Sequence, residues 1–161
     1  MKWGTIRTLF SLATQKGLKV HHMDVKTSFL NGYLKEDVYM LQPEGFSVKE
    51  KEHKVCKLIK SLYGLKQAPC AWYEKLTEHL LKLNYKHFNL DDATLFVKKV
   101  GRSVVYLVVY VDDLLITWNN YDYIASIKKE LQKVFDMTDL GLLHYHLGIE
   151  VDKKPKHIFI S

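Results

Sequence analysis

The sequence predicts an α+β fold, an antiparallel sheet with helices packed on one face. Three observations predict it. Apolar residues recur at helical spacing in three separate stretches. The elements read in the order helix, strand, short strands, helix, strand, hairpin, helix, hairpin. The most apolar run, Val104–Trp118 (VVYLVVYVDDLLITW), is rich in β-branched and aromatic residues and is interrupted once, by Asp112 and Asp113. It reads as two strands, Val104–Val111 and Leu114–Trp118, with the two Asp residues forming a tight turn.

Each element follows from its residues. Thr5–Gln15 places Ile6, Leu9, Phe10 and Ala13 on one helical face, and Gly17 closes it. Leu18–Val25 is a strand that delivers Asp24 near its end. Asn31-Gly32 signals a turn, Val38–Leu41 a short strand, and Pro43–Gly45 another turn. Ser47–Lys54 is a polar, exposed loop, and Val55–Ile59 a strand. Residues 60–69 (KSLYGLKQAP) lead into a helix with Pro69 in its first turn and Trp72, Leu76, Leu80 and Leu83 in register. Thr94–Val100 is a strand turned by Gly101-Arg102 into the apolar hairpin. Asn119-Asn120 caps a helix carrying Ile124, Ile127, Leu131 and Val134 to about Phe135. Leu142–Asp152 and His157–Ile160 form two strands joined by the basic turn Lys153–Lys156.

The 161 residues suit one domain with a real core. At 47% hydrophobic and 26% charged the composition is that of an ordinary globular chain. The net charge of +6 points first to nucleic acid as partner and second to an acidic membrane surface. The apolar run is too short and too charged at its centre to span a membrane. Cys56 and Cys70 make neither a disulfide framework nor a metal-finger spacing, which points to a reducing, intracellular setting, cytoplasmic or nuclear.

Adjacent carboxylates at the tip of a buried hairpin repel each other and lose hydration. Bound divalent cations would offset that cost; an exposed loop that happens to be acidic is the other reading. Asp24 likewise reads either as surface alternation or as a site residue at a strand end. If the two segments adjoin in the sheet, Asp24, Asp112 and Asp113 converge into a site for two hard cations, suited to in-line phosphoryl displacement.

The blocks MDVKTSFLNGYLKEDVYMLQPEGF, VCKLIKSLYGLKQAPCAWY, YVDDLLI and HLGIEV, in this order and spacing, resemble the reverse transcriptase of copia-type LTR retrotransposons across essentially the whole chain. The resemblance implies a polymerase palm with a remnant of the fingers, the thumb and ribonuclease H regions lying outside these residues. It implies an RNA-directed DNA polymerase that adds deoxynucleotides to a primer 3′-hydroxyl on an RNA or DNA template. A catalytically silent nucleic-acid-binding palm is the alternative. Asp24 and Asp112 would hold two Mg2+ ions, or Mn2+ as a substitute, with the Val25 carbonyl as a further ligand and Asp113 completing the cluster.

The resemblance also assigns nucleotide contacts to Thr27, Ser28, Phe29, Tyr63 and Gly64, with the Phe29 ring beneath the incoming sugar and main-chain N–H groups of Thr27–Phe29 facing the triphosphate. Phe29 is otherwise an ordinary core aromatic, and residues 60–69 a plain strand-to-helix connection. Lys66 and Gln67 would neighbour the template. Leu147 and Gly148, in LGIE, would steady the primer terminus or simply close a hairpin. Cys70 stands where the family often has arginine, which removes one positive charge near the template path. His21-His22 and His144-x-His146 are expected not to bind metal, because no Cys or further His stands at metal-site spacing and neighbouring strand residues face opposite ways.

Overall fold

The computed structural model describes residues 3–89, 92–146, 148–154 and 157–160. Helix α1 (Trp3–Gln15) and strand β1 (Lys19–Val25) lead to a single 3-10 turn (Ser28–Asn31), β2 (Tyr33–Leu41) and β3 (Val55–Lys60). Helix α2 (Ala68–Lys82), β4 (Lys86–Asn89), β5 (Asp92–Val100), β6 (Ser103–Tyr110) and β7 (Asp113–Trp118) follow. The chain ends in α3 (Tyr121–Gln132), β8 (Met137–Leu142), β9 (Tyr145–His146), β10 (Ile149–Lys154) and β11 (His157–Ile160). These elements divide between two compact units, Met1–Lys26 with Leu80–Ser161, and Thr27–His79.

The larger unit is built on a six-stranded sheet in the order β4-β5-β6-β7-β1-β8, with every neighbouring pair antiparallel. A second sheet, β9-β10-β11, belongs to the same unit. The α+β expectation therefore holds, but helices on one face do not. The apolar stripe of α1 (Ile6, Leu9, Phe10, Ala13) packs with Val20, Leu95, Val108 and Leu115. Lys128 of α3 instead reaches His21, and Tyr123 of α3 stacks edge-on against Trp118 at 4.3 Å. Val20 and His21 are successive strand residues and point to opposite faces, so α1 and α3 cover opposite sides of the sheet. The hydrophobic pattern of a strand buried on both sides is a continuous run, which is how Leu107, Val108 and Val109 read.

Both helix ends predicted from turn residues are built as expected. Gly17, at φ 65°, ends α1 while the Leu18 N–H donates to the Ala13 carbonyl at 2.8 Å. Asn120 caps α3 by accepting from the Tyr123 N–H at 3.0 Å. Three strand expectations need correction. β4 was not anticipated; its four residues carry too little pattern to register. β8 was not anticipated either, because its MTDLGL sequence mixes Asp and Gly into the alternation; it nevertheless lies along β1. Leu142–Asp152 is not one strand but the end of β8, then β9, then β10. Of the basic turn, Lys153 and Lys154 belong to β10, and Pro155 and Lys156 lie outside the described residues.

The smaller unit pairs β2 with β3 and adds the 3-10 turn and most of α2. β2 begins at Tyr33, five residues before the predicted start, and runs through the polar, exposed Lys35, Glu36 and Asp37. Several apolar side chains of this unit face solvent; Leu41, Phe46 and Ile59 are each more than 70% exposed (79%, 79% and 71%). Gly32 closes the turn expected of Asn31-Gly32, its N–H donating to the Phe29 carbonyl at 3.0 Å, but its φ of −79° is open to any residue. Space is what requires it. A Cβ there would sit 2.7 Å from the Ala71 carbonyl carbon and from the Trp72 nitrogen, and backbone cannot swing aside. Gly32→Ala is expected to destabilise this unit by about 2 kcal/mol through overpacking, read as a lower urea midpoint.

His21 couples the α3 face to pH. Lys128 Nζ, which can only donate, lies 3.2 Å from His21 Nδ1 and 2.5 Å from Asp139 Oδ1. Burial and then the Lys128 charge push the His21 pKa down to about 4 from 6.5. The folded protein therefore resists a proton that the unfolded chain takes up below 6.5. Stability on this account is intact above pH 6.5 and falls as the pH drops towards 4, by at most about 3 kcal/mol. His146, also depressed, acts in the same direction, and Asp24, raised, acts in the opposite one. A urea midpoint that declines from pH 7 to pH 4.5, and declines less in His21→Gln, is the expected result.

Candidate active site

The hairpin turn falls one residue earlier than the sequence suggested. Tyr110 and Asp113 close the β6–β7 ladder, so the turn is Val111-Asp112 and Asp113 is already the first residue of β7. Val111 carries a φ of 54°, a left-handed conformation that a β-branched residue adopts only at a cost of order 1–3 kcal/mol. This strain tips the Asp112 peptide towards β1, where the Asp112 carbonyl accepts from the Val25 N–H at 2.9 Å.

Strand β1 lies beside β7, and in its register Asp24 stands directly opposite Asp113. Directly opposed like charges destabilise a sheet. The conflict is visible on Asp24, whose carboxyl is held above the usual carboxylate range by burial and then by the negative charges of Asp112 and Asp113. His22 and Lys26 pull the other way but less. Two strand carboxylates and one in the adjoining turn thus share one electrostatic environment, and all three offer the hard oxygen donors that Mg2+-type cations take. Among the described residues, the group whose ligand atoms lie close enough to share one ion is instead His22, Asp113 and His146. Val25 itself is buried, its backbone held between Asp112 and β8.

The predicted nucleotide residues belong to the smaller unit, where two of them meet. The rings of Phe29 and Tyr63 lie 5.9 Å apart, and Tyr63 is 91% exposed. Phe29 is only partly buried, so it is not an ordinary core aromatic. The loop is tied to the 3-10 turn by Ser61, whose hydroxyl donates to the Phe29 carbonyl and whose N–H donates to Gly32. Thr27 precedes that turn at φ 48° without a side-chain cap, and Ser28 is buried. Gly64 sits at φ 92° with open space around it, so its backbone angle, rather than a close protein neighbour, demands glycine. Lys66 is exposed and Gln67 partly so. Cys70 Sγ faces Glu74, 3.9 Å away. Of the primer-hairpin residues, Gly148 has φ 81° and Leu147 lies outside the described residues.

A profile of the reverse transcriptase (RNA-dependent DNA polymerase) family matches residues 1–161. The chain belongs to this family. The reverse transcriptase sequence is 42% identical over its full length to the retrovirus-related Pol polyprotein from transposon RE1 of Arabidopsis thaliana, of which it covers 11%. It is 45% identical over its full length to the corresponding polyprotein from transposon TNT 1-94 of Nicotiana tabacum, covering 12%. A putative transposon Ty5-1 protein of Saccharomyces cerevisiae is 35% identical over 80% of the chain and 42% of its own length. The chain thus spans about a tenth of the plant polyproteins it matches. No solved structure matches it.

Sequence spacing failed for two histidines of this reverse transcriptase domain. His22 Nε2 lies 2.5 Å from Asp113 Oδ1, and His146 Nδ1 lies 3.5 Å from Asp113 Oδ2. The expectation that these histidines bind no metal rests on sequence spacing, and spacing does not show that the fold brings His22 and His146 onto one carboxylate. One signal was available. His22 and Asp24 are two apart on one strand and share a face, so whatever approaches Asp24 also meets His22. His21 does point away, as expected. Burial, with a smaller part from His22, depresses the His146 pKa, while Asp113 opposes the shift.

Proposed function

We propose that the chain carries the polymerising centre of an RNA-directed DNA polymerase, adding deoxynucleotides to a primer 3′-hydroxyl on an RNA or DNA template. The observation that carries this reading is Asp24 paired across the ladder with Asp113, with Asp112 at the adjoining strained turn. Strain of this kind persists where the surrounding structure over-determines a functional geometry. We read the carboxylate-bearing unit as the palm, working with thumb and ribonuclease H regions of a longer polyprotein.

Asp24, Asp112 and Asp113, with the Val25 carbonyl, would hold two Mg2+ ions, or Mn2+ in their place. Bound there, the metals lower the pKa of the primer hydroxyl and neutralise charge developing on the transferred phosphate. The protein's share is to hold the three carboxylates in place before substrate arrives. In the smaller unit, the Phe29–Tyr63 ring pair offers flat apolar surface for a sugar and base, and Phe29 would exclude a 2′-hydroxyl. The N–H groups of Ser28 and Phe29 fall in the first turn of the 3-10 segment, where the turn itself supplies no acceptor, and would receive triphosphate oxygens with Thr27. Lys66, Gln67, Leu147 and Gly148 are proposed template and primer contacts. The surplus of lysine attracts the nucleic-acid backbone, so binding should weaken steeply with salt.

Primer extension tests the reading. The chain, given a primed RNA template, deoxynucleotides and Mg2+ or Mn2+, is expected to lengthen the primer. Duplex binding without extension under either metal would overturn it in favour of a non-catalytic nucleic-acid-binding palm.

A further inference from the structure

We propose that His22, Asp113 and His146 form a binding site for a zinc-class divalent cation, distinct in its ligand chemistry from the all-oxygen cluster of Asp24 and Asp112. One ligand atom from each of the three lies within 4.8 Å of the others. His146 is 4% exposed, and neither of its ring nitrogens forms a hydrogen bond within the protein. Its Nδ1 is directed at Asp113 Oδ2 from 3.5 Å, beyond good hydrogen-bond geometry but at the separation two ligands of one tetrahedral ion would have. The His22 and His146 rings meet edge to face, 5.6 Å between centroids, and Tyr110 flanks His146 at 6.2 Å. The walls of the site are thus packed, and a ring nitrogen without a hydrogen bond is left aimed into it.

Two imidazoles and one carboxylate suit zinc, which binds such donors at about 2.0–2.2 Å and takes a fourth ligand from solvent or substrate. Magnesium favours oxygen and retains its waters, so it competes poorly here. Binding requires the 2.5 Å His22–Asp113 contact to open by about 1 Å, exchanging a hydrogen bond for two bonds to a common ion, and the wider separations within the group to close to tetrahedral ligand spacing. Where the polymerase reading also holds, such an ion would draw Asp113 towards the imidazoles and inhibit incorporation. The site itself does not depend on that reading.

The test uses Co2+ as a spectroscopic stand-in for zinc, titrated into the 161-residue chain in excess Mg2+. One equivalent is expected to produce the intense visible bands of tetrahedral Co2+, removed by Zn2+. His22→Gln and His146→Phe should each weaken binding at least about tenfold, whereas Asp24→Asn and His144→Ala should retain it. Circular dichroism checks that each variant folds. Should one not fold, the other decides, together with a zinc-induced rise in melting temperature that the folded variant lacks. No saturable Co2+ binding, undiminished binding in the histidine variants, or loss of binding in Asp24→Asn would overturn the proposal.

Discussion

Asp112→Asn is expected to reduce metal-dependent primer extension by about 10^3-fold or more while leaving the fold intact. The substitution keeps the size of the side chain and the turn, and removes one negative charge. Losing several kcal/mol of electrostatic stabilisation in the transition state corresponds to that factor, at 1.36 kcal/mol per tenfold. The same change should slightly favour folding. Burial and the charge of Asp112 both hold the Asp24 carboxyl above its usual range, so deleting the second contribution relieves a repulsion the folded state carries. Activity and stability then move in opposite directions, as expected where acidic groups are assembled for a task other than stability. Primer extension and urea unfolding on the same preparations check both halves. A variant that loses activity together with its melting transition would mean that Asp112 matters for folding alone.

How much of this was legible beforehand depended on the range of the signal. Local patterns were informative: the α1 stripe, the Gly17 stop and the Asn120 cap all describe residues a few positions apart. The turn was misplaced by one residue because two acidic residues look like better turn formers than Val111, yet β7 begins with Asp113 so that it can face Asp24. Propensity yielded there to the demands of the pairing. Gly32 was read through its usual role in turns, when the close approach of the α2 backbone is what excludes a side chain. The meeting of His22 and His146 on Asp113 was invisible because it depends on β9 returning over the face that carries β1's even-numbered residues, which no spacing rule encodes. The opposite placement of α1 and α3 was missed for a related reason. Each helix has one apolar stripe, but which side of a sheet it covers is decided by connections, not by the stripe.

Phe96 offers the sharpest test of how the sheet holds the carboxylate-bearing hairpin. It is fully buried on β5, opposite Leu107 of β6 in the ladder, with the His87 ring of β4 4.5 Å from its own. Truncation to alanine removes the ring's transfer free energy and leaves a cavity beside Leu107 and His87, whose strands are both hydrogen-bonded to β5 and cannot collapse freely. The expected cost of Phe96→Ala is about 3–5 kcal/mol, against a total stability of about 5–15 kcal/mol for an ordinary domain. Phe88 supplies the control. It is the same residue type, on the adjacent strand β4, but 61% exposed, and Phe88→Ala is expected to stay within about 0.5 kcal/mol. Chemical denaturation followed by circular dichroism reads both. Similar shifts in the two variants would mean that Phe96 is not buried where the ladder places it, and that the hairpin bearing Asp112 and Asp113 is held by something other than this ladder.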